Sequence, residues 1–194
     1  MSKKFKRGFL KSADGVAAIE AVFVIPLMCV LYFGTLDLTS LILYNTKLTN
    51  VATFMSDTVA QYPNTIRRSD ITDIENGIKL ITSSSQATKV QVDVYDYRLV
   101  GKTITKIWST KSPNATNCSA PSTANLSSLM TTGNDVIVAT SCMTYTPWLA
   151  TLFGKSLLGL SSFSLTQTFT AVPYGSATLN CYTGSTGTTP CAEI

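Results

Sequence analysis

The sequence predicts an α+β fold, with a long N-terminal helix, a short second helix and then a small antiparallel sheet. A long apolar run near the N-terminus continues into apolar residues at helical spacing, and isoleucines recur at steps of three or four over residues 70–81. The later chain instead alternates apolar and polar residues, as strands do. Helices and strands in separate stretches of chain are typical of α+β proteins. The 194 residues have room for one small domain and an anchor.

The first fifteen residues carry the excess positive charge of the chain. They contain five basic residues and one acidic residue, which accounts for the whole formal net charge of +4. The rest of the chain is therefore neutral overall. A basic surface that could bind nucleic acid is not expected on it.

Residues 16–36 form an apolar run in which Glu20 is the only charged residue. About 20 apolar residues of helix are enough to cross a bilayer. Basic residues before this run place the N-terminus in the cytoplasm and the rest outside. We therefore divide the chain into a leader at 1–15, a transmembrane helix at 16–37 and an extracytoplasmic α+β domain at 38–194. A cleaved secretory signal is the alternative, but the apolar part of such signals is only roughly 7 to 15 residues long.

Beyond residue 37 the apolar residues thin into a stripe along one helix face. No Pro or Gly interrupts residues 35–61, so we expect one helix over 17–62, ended by Pro63. The members of this contact stripe are Leu41, Tyr44, Leu48, Val51, Met55, Val59 and Tyr62.

A second helix is predicted at 70–81, with Ser69 as its N-terminal cap. Alternation in "KVQVDVYDYRL" predicts a strand, and Gly101 turns it into "KTITKIWST" to make a hairpin. The segments "DVIVATSCMTYT" and "FSLTQTFTAV" predict two further strands. Between them, "PWLATLFGKSLLGL" fits a short helix or a membrane-facing loop, and packing under the sheet is the favoured interpretation.

Cysteine usage agrees with an oxidising compartment. Cys29 lies in the apolar run, where a thiol is usually a small buried apolar group. The other four are even in number and fit two disulfides, with three pairings open: Cys118, Cys142, Cys181 and Cys191. We favour Cys181 with Cys191, because a bridge would tie down the polar, Gly-rich segment between them, and hence Cys118 with Cys142.

The sequence offers no catalytic motif. There is no histidine, so the usual general base is missing, and no Cys-x-x-Cys spacing occurs. Asp93 and Asp96 fall on opposite faces of their predicted strand, because their separation is odd. We expect both to be solvated charges. No enzyme activity, metal, cofactor or small-molecule substrate is expected.

The run "DGVAAIEAVFVIPLMCVLYFGTLDL" presents Gly15, Glu20, Pro26, Gly34 and Asp37 in order. It resembles the N-terminus of the TadE-like minor pilins, or pseudopilins, of the tight adherence (Tad/Flp) pilus apparatus, which is related to type IV pili. The resemblance implies that a prepilin peptidase cuts between Gly15 and Val16. It also implies that Glu20 then acts in filament assembly. Many such subunits have an aromatic residue after the Glu, whereas this chain has Ala21, which argues against the major filament subunit.

The resemblance thus implies a structural, pilin-like protein of the inner membrane, with a cytoplasmic N-terminus and a periplasmic domain. Its partners would be the prepilin peptidase, other pilin subunits and the pilus assembly platform. Whether it enters the pilus is open, and the contact stripe would pack either wholly within the chain or partly on neighbouring subunits. The alternative function is a signal-anchored periplasmic binding or adhesion module, in which the leader is kept and Glu20 is dispensable.

Overall fold

The computed structural model describes residues 13–81, 90–111, 118–124, 126–153, 162–183 and 189–191. The α+β class predicted from the sequence is confirmed. The elements, in chain order, are α1 (Ala13–Ala60), β1 (Thr65–Arg67), α2 (Arg68–Ile81), β2 (Gln91–Val100), β3 (Thr103–Lys111), β4 (Asp135–Tyr145), α3 (Trp148–Phe153), β5 (Phe163–Ala171), β6 (Asn180–Thr183) and β7 (Thr189–Pro190).

The chain forms two compact units. The first, called the anchor unit, consists of Met1–Ile42 and Thr146–Ser161. The second, called the body unit, consists of Leu43–Tyr145 and Ser162–Ile194. Helix α1 supplies residues to both, and α3 belongs to the anchor unit.

Helix α1 is 48 residues long and contains Pro26. It ends at Ala60, two residues before the predicted end, so Tyr62 lies beyond the helix. The amide of Gln61 donates to the carbonyls of Asp57 and Thr58, at 3.1 and 3.3 Å, which tightens the last turn. The amide of Tyr174 donates to the Ala60 carbonyl at 3.0 Å. Partners of this kind satisfy the carbonyls that a helix end leaves unpaired.

The start of α2 differs from the prediction. Ser69 is inside the helix and is not its cap, since the helix begins at Arg68. The Asp70 carboxylate accepts a hydrogen bond from the Arg67 amide at 3.1 Å, and so satisfies a donor at the helix start. As predicted, α2 turns isoleucines towards the core: Ile71 and Ile78 are buried.

The four predicted strands form one antiparallel sheet in the order β3-β2-β4-β5. The hairpin between β2 and β3 turns at Gly101, whose φ of 65° lies in the left-handed region that glycine adopts without strain. Strand β2 is central, paired with β3 on one side and β4 on the other. Both of its faces are therefore available for packing.

One face of this sheet packs on the C-terminal part of α1. Alternate β2 residues Val92 and Val94 join a core with the helix residues Leu48, Val51, Met55 and Val59. The opposite face carries Tyr95 and Tyr97, which pack with Leu126 and Met130 of the segment before β4. The alternation predicted for β2 is thus confirmed, and this strand is covered on both faces.

A second, three-stranded sheet was not predicted. Its order is β1-β6-β7, with β1 parallel to β6 and β6 antiparallel to β7. These strands are only three, four and two residues long, so they show too little alternation to be recognised. The Trp108 indole N–H of β3 donates to the Leu179 carbonyl just before β6, at 3.0 Å.

Two disulfides join the pairs that the sequence favoured. Cys118 is bonded to Cys142 of β4, with a Cα–Cα distance of 5.6 Å. Cys181 of β6 is bonded to Cys191, and the Cys191 amide also donates to the Cys181 carbonyl at 2.9 Å. Cys29 is a free thiol. The first bridge links the segment before β4 to the four-stranded sheet. The second links β6 to the residue that follows β7 in the small sheet.

Candidate functional site

The part of α1 in the anchor unit exposes apolar side chains around its whole circumference. Within the described residues, one helix is long and apolar enough to cross a membrane, the stretch Ile19–Ala60, and none of its most apolar window is buried. The exposed side chains include Ile19, Val22, Phe23, Val24, Ile25, Leu27, Met28, Leu31, Tyr32, Leu36 and Leu38. A helix that is apolar all round belongs in a membrane or in a protein core. This stretch therefore fits membrane anchoring.

The residues predicted for processing and assembly lie at the start of this stretch. Gly15 and Val16 are in the first turns of α1. Glu20 is exposed, one turn before Phe23 and Val24, which are also exposed, at 74% and 49%. The structure thus places a carboxylate at the beginning of an apolar, uncovered helix surface. A charge in such surroundings is costly unless it stays near the headgroups or finds a partner.

Asp37 closes the same stretch, and the structure gives it a role that the sequence did not show. Its Oδ1 accepts a hydrogen bond from the Trp148 amide at 2.7 Å, and its Oδ2 accepts one from the Leu149 amide at 3.0 Å. These are the first two residues of α3. The carboxylate of α1 therefore caps α3 inside the anchor unit.

The contact stripe divides between core and half-buried positions. Its central members Leu48, Val51, Met55 and Val59 are at most 1% exposed and belong to the core of the body unit. Leu41, Tyr44 and Tyr62 are half-buried. The Tyr44 ring lies 5.6 Å from that of Tyr145 on β4. The central members hold the fold of the body unit together.

Asp93 and Asp96 lie on opposite faces of β2, as predicted, but the expectation that they are solvated was wrong. Both are completely buried, because β2 is the central strand and each of its faces is covered. Asp93 accepts hydrogen bonds from the side-chain Nε2 of Gln91 at 2.8 Å and from the Tyr95 hydroxyl at 3.3 Å. They do not form a shared site.

A partly buried ion pair that the sequence did not predict lies near Asp96. Arg98 donates from Nε and a terminal nitrogen to the two carboxylate oxygens of Asp135, at 2.5 and 2.8 Å. The Leu179 amide also donates to Asp135, at 2.6 Å. Arg98 and Asp135 are paired in the register of β2 and β4. The two residues are 37 positions apart, so the sequence does not indicate the pair unless the strand register is known.

No catalytic or metal centre emerges from these groups. In the described part of the chain, no cluster of three or more His, Cys, Asp or Glu side chains could hold a metal ion. The candidate functional segment is therefore the first part of α1, from Gly15 to Asp37, together with α3.

Comparison with known proteins gives one match. The family model described as TadE-like protein matches residues 15–54. Searches of curated proteins and of solved structures return no match to this chain. The family match confirms the resemblance seen in the sequence over these residues. The match covers 40 of the 194 residues, so the similarity to TadE-like proteins is limited to the N-terminal part of the chain.

Proposed function

We propose that this chain is a structural minor pilin or pseudopilin that takes part in assembling a Tad/Flp-type pilus or secretion apparatus after cleavage by a prepilin peptidase. The observation that carries the proposal is the position of the family match. It begins at Gly15, after which the peptidase would cut, and runs through the apolar stretch to residue 54. The five basic residues of the leader, all at positions 3–11, lie outside the match, as a removable segment would.

The membrane would hold the subunit before assembly. The apolar stretch of α1 crosses the inner membrane, with the leader in the cytoplasm. The body unit then lies in the periplasm, where its two disulfides are stable. Its partners at this stage are the lipid, the peptidase and the assembly platform.

Cleavage would give Glu20 a partner. The new α-amine of Val16 is four residues, or about one helical turn, from Glu20. An ammonium group at that distance, on the same chain or on a neighbouring subunit, can pair with the carboxylate and lower its cost in an apolar setting. One charge pair between otherwise apolar helices can thus hold a neighbouring subunit in register.

Replacing Glu20 tests the assembly role. A strain that lacks the native gene would be complemented with Glu20→Gln or with the matched control Glu75→Gln in α2 of the body unit. We expect the Glu20→Gln protein to be made and inserted in the membrane, but to support few surface pili in electron micrographs. The control should restore normal piliation, because Glu75 lies in a different unit.

Normal piliation by the Glu20→Gln chain would contradict the assembly role. That result would instead favour the signal-anchored periplasmic binding or adhesion module, for which Glu20 is dispensable. Measuring membrane-extracted protein in each strain keeps a loss of pili distinct from a loss of the subunit.

A further inference from the structure

Helix α3 is fixed to α1 at the end of the apolar stretch. Asp37 accepts the backbone N–H groups of Trp148 and Leu149, and the Leu149 side chain lies over Gly34. A methyl group placed on Gly34 would lie 3.9 Å from Leu149 Cδ1, so the approach is close. Ala150 is only 2% exposed. The start of α3 is thus held against α1 by two hydrogen bonds and by the Leu149 side chain.

The position of Asp37 along α1 sets the depth of this contact. No charged residue lies between Glu20 and Asp37. The two are separated by about 26 Å of helical rise, close to the roughly 30 Å thickness of the hydrocarbon core. When Glu20 lies near the inner boundary of that core, Asp37 lies near the outer one. A segment capped by Asp37 is therefore at the outer headgroup region.

Trp148 stands out in this setting because it is 61% exposed, while the other tryptophan, Trp108, is 2% exposed. Tryptophan is enriched where membrane meets water, since its ring is apolar and its N–H needs a polar partner. On α1 the exposed apolar side chains near Asp37 in the sequence include Tyr32, Leu36 and Leu38. No charged side chain is found in Trp148–Phe153.

We propose that α3 is a second membrane contact, with Trp148 inserted into the outer leaflet at the level of the headgroups and upper acyl chains. The inference rests on the proposed function for two points, that α1 spans the membrane and that its N-terminus is cytoplasmic. Asp37 is the positioning residue, because it holds the N-terminus of α3 against α1. The contact fixes the depth of the subunit in the bilayer and must be released if the subunit leaves the membrane.

Tryptophan quenching in vesicles tests this contact with the full-length chain. The Trp108→Phe variant leaves Trp148 as the only tryptophan. It would be reconstituted in phosphatidylcholine vesicles with bromine atoms either near the headgroup or near the acyl-chain ends. We expect shallow bromines to remove most of the Trp148 emission and deep bromines to remove little. Trp108 alone, in the Trp148→Phe variant, should be quenched by neither.

A depth reference separates failure of this inference from failure of the proposed anchor. In a chain with both tryptophans replaced by Phe, Phe23→Trp places an indole in the exposed apolar stretch. If this indole is quenched by deep bromines but Trp148 is not quenched by shallow ones, α1 spans the membrane and the α3 contact is wrong. A blue-shifted, unquenched Trp148 would mean that protein covers it and would likewise overturn the contact. If neither indole is quenched, the anchor itself is wrong.

A substitution at Asp37 tests the positioning role. Asp37→Ala removes both acceptors and should lower the shallow quenching of Trp148 while leaving the Phe23→Trp reference unchanged. Asp57→Ala, which removes a half-buried carboxylate further along α1, is the control. Equal quenching of Trp148 in the two variants would overturn the role of Asp37.

Discussion

Asp96 lies on the helix-facing side of β2 with no exposed surface. Neither of its carboxylate oxygens has a hydrogen-bond partner among the described residues. Burial, and then the nearby charge of Asp135, raise the pKa of Asp96 to about 8, although Arg98 acts in the opposite direction. Asp96 is therefore mainly protonated in the folded protein at neutral pH. An uncharged carboxyl group is far less costly to bury than a carboxylate.

This shift predicts how stability depends on pH. The ordinary pKa of 3.8 applies to the unfolded chain and about 8 to the folded one. Between these values the folded state binds more protons, so the free energy of unfolding falls as pH rises. Asp96 lowers the free energy of unfolding by at most about 1.4 kcal/mol per pH unit. The stabilisation is fully present below the lower pKa and lost above the higher one.

We expect Asp96→Asn to flatten this dependence, because asparagine does not titrate. The measurement is the unfolding midpoint of the full-length chain in detergent from pH 4 to 8, followed by Trp108 emission in a Trp148→Phe background. Asp57→Asn serves as the control. Parallel pH profiles for Asp96→Asn and the parent would show that Asp96 does not titrate in this window.

For individual residues, the sequence predicts the strand face on which a side chain lies better than it predicts whether that side chain is buried. The odd separation of Asp93 and Asp96 correctly placed them on opposite faces. Their burial was not predictable, since charged residues are mostly exposed and the alternation of one strand does not reveal what covers it. The same holds for Asp37, whose α3 partners are 111 and 112 residues away in the chain.

Among the elements, α1 combines two different surfaces in one helix. Towards its N-terminus the apolar residues are exposed on every side, whereas from Leu48 onward they form one buried face. The sequence predicted this change, because the apolar run thins into a stripe at helical spacing. It left open whether the stripe packs within the chain or on neighbouring subunits. For Leu48, Val51, Met55 and Val59 the contacts lie within the body unit.

A pair of adjacent residues tests this assignment. Met55 is fully buried and Phe54 is 43% exposed. Met55→Ala leaves a cavity and should lower the free energy of unfolding by about 2–5 kcal/mol. Phe54→Ala should change it by less than about 1 kcal/mol. Both would be measured by urea unfolding of the full-length chain in detergent, and equal small effects would contradict an intramolecular role for the stripe.

Long periodic elements were predicted well, and short or non-local ones were not. The four strands of the main sheet each have nine to eleven residues, enough for their composition and alternation to be visible. The small sheet was not predicted, because its strands are short and β1 pairs in parallel with a strand far along the chain. Ser69 was mistaken for a cap because Asp70, one residue later, performs the N-terminal role.

For the whole molecule, the division into an anchor unit and a body unit follows the change in apolar pattern along α1. The sequence did not show that α3 joins the anchor unit. An apolar segment alone does not identify what it contacts. The disulfide pairs were favoured correctly, since the shorter bridge closes a local loop and leaves one partner for each remaining cysteine.

The central claim is that the chain is processed like a pilin, and the N-terminus of the mature protein tests it most directly. Intact mass and N-terminal sequencing would be done on membrane-extracted protein from cells with and without a prepilin peptidase. The matched variants are Gly15→Val, at the proposed cleavage site, and Gly8→Val, the same change within the leader. A bulky side chain at the cleavage site should block entry into a narrow protease cleft.

We expect a mature chain that begins at Val16 only when the peptidase is present. Gly8→Val should be processed in the same way, and Gly15→Val should keep its leader. A chain that still carries Lys3 to Gly15 in both strains would contradict the pilin-type function. It would leave an anchored periplasmic module.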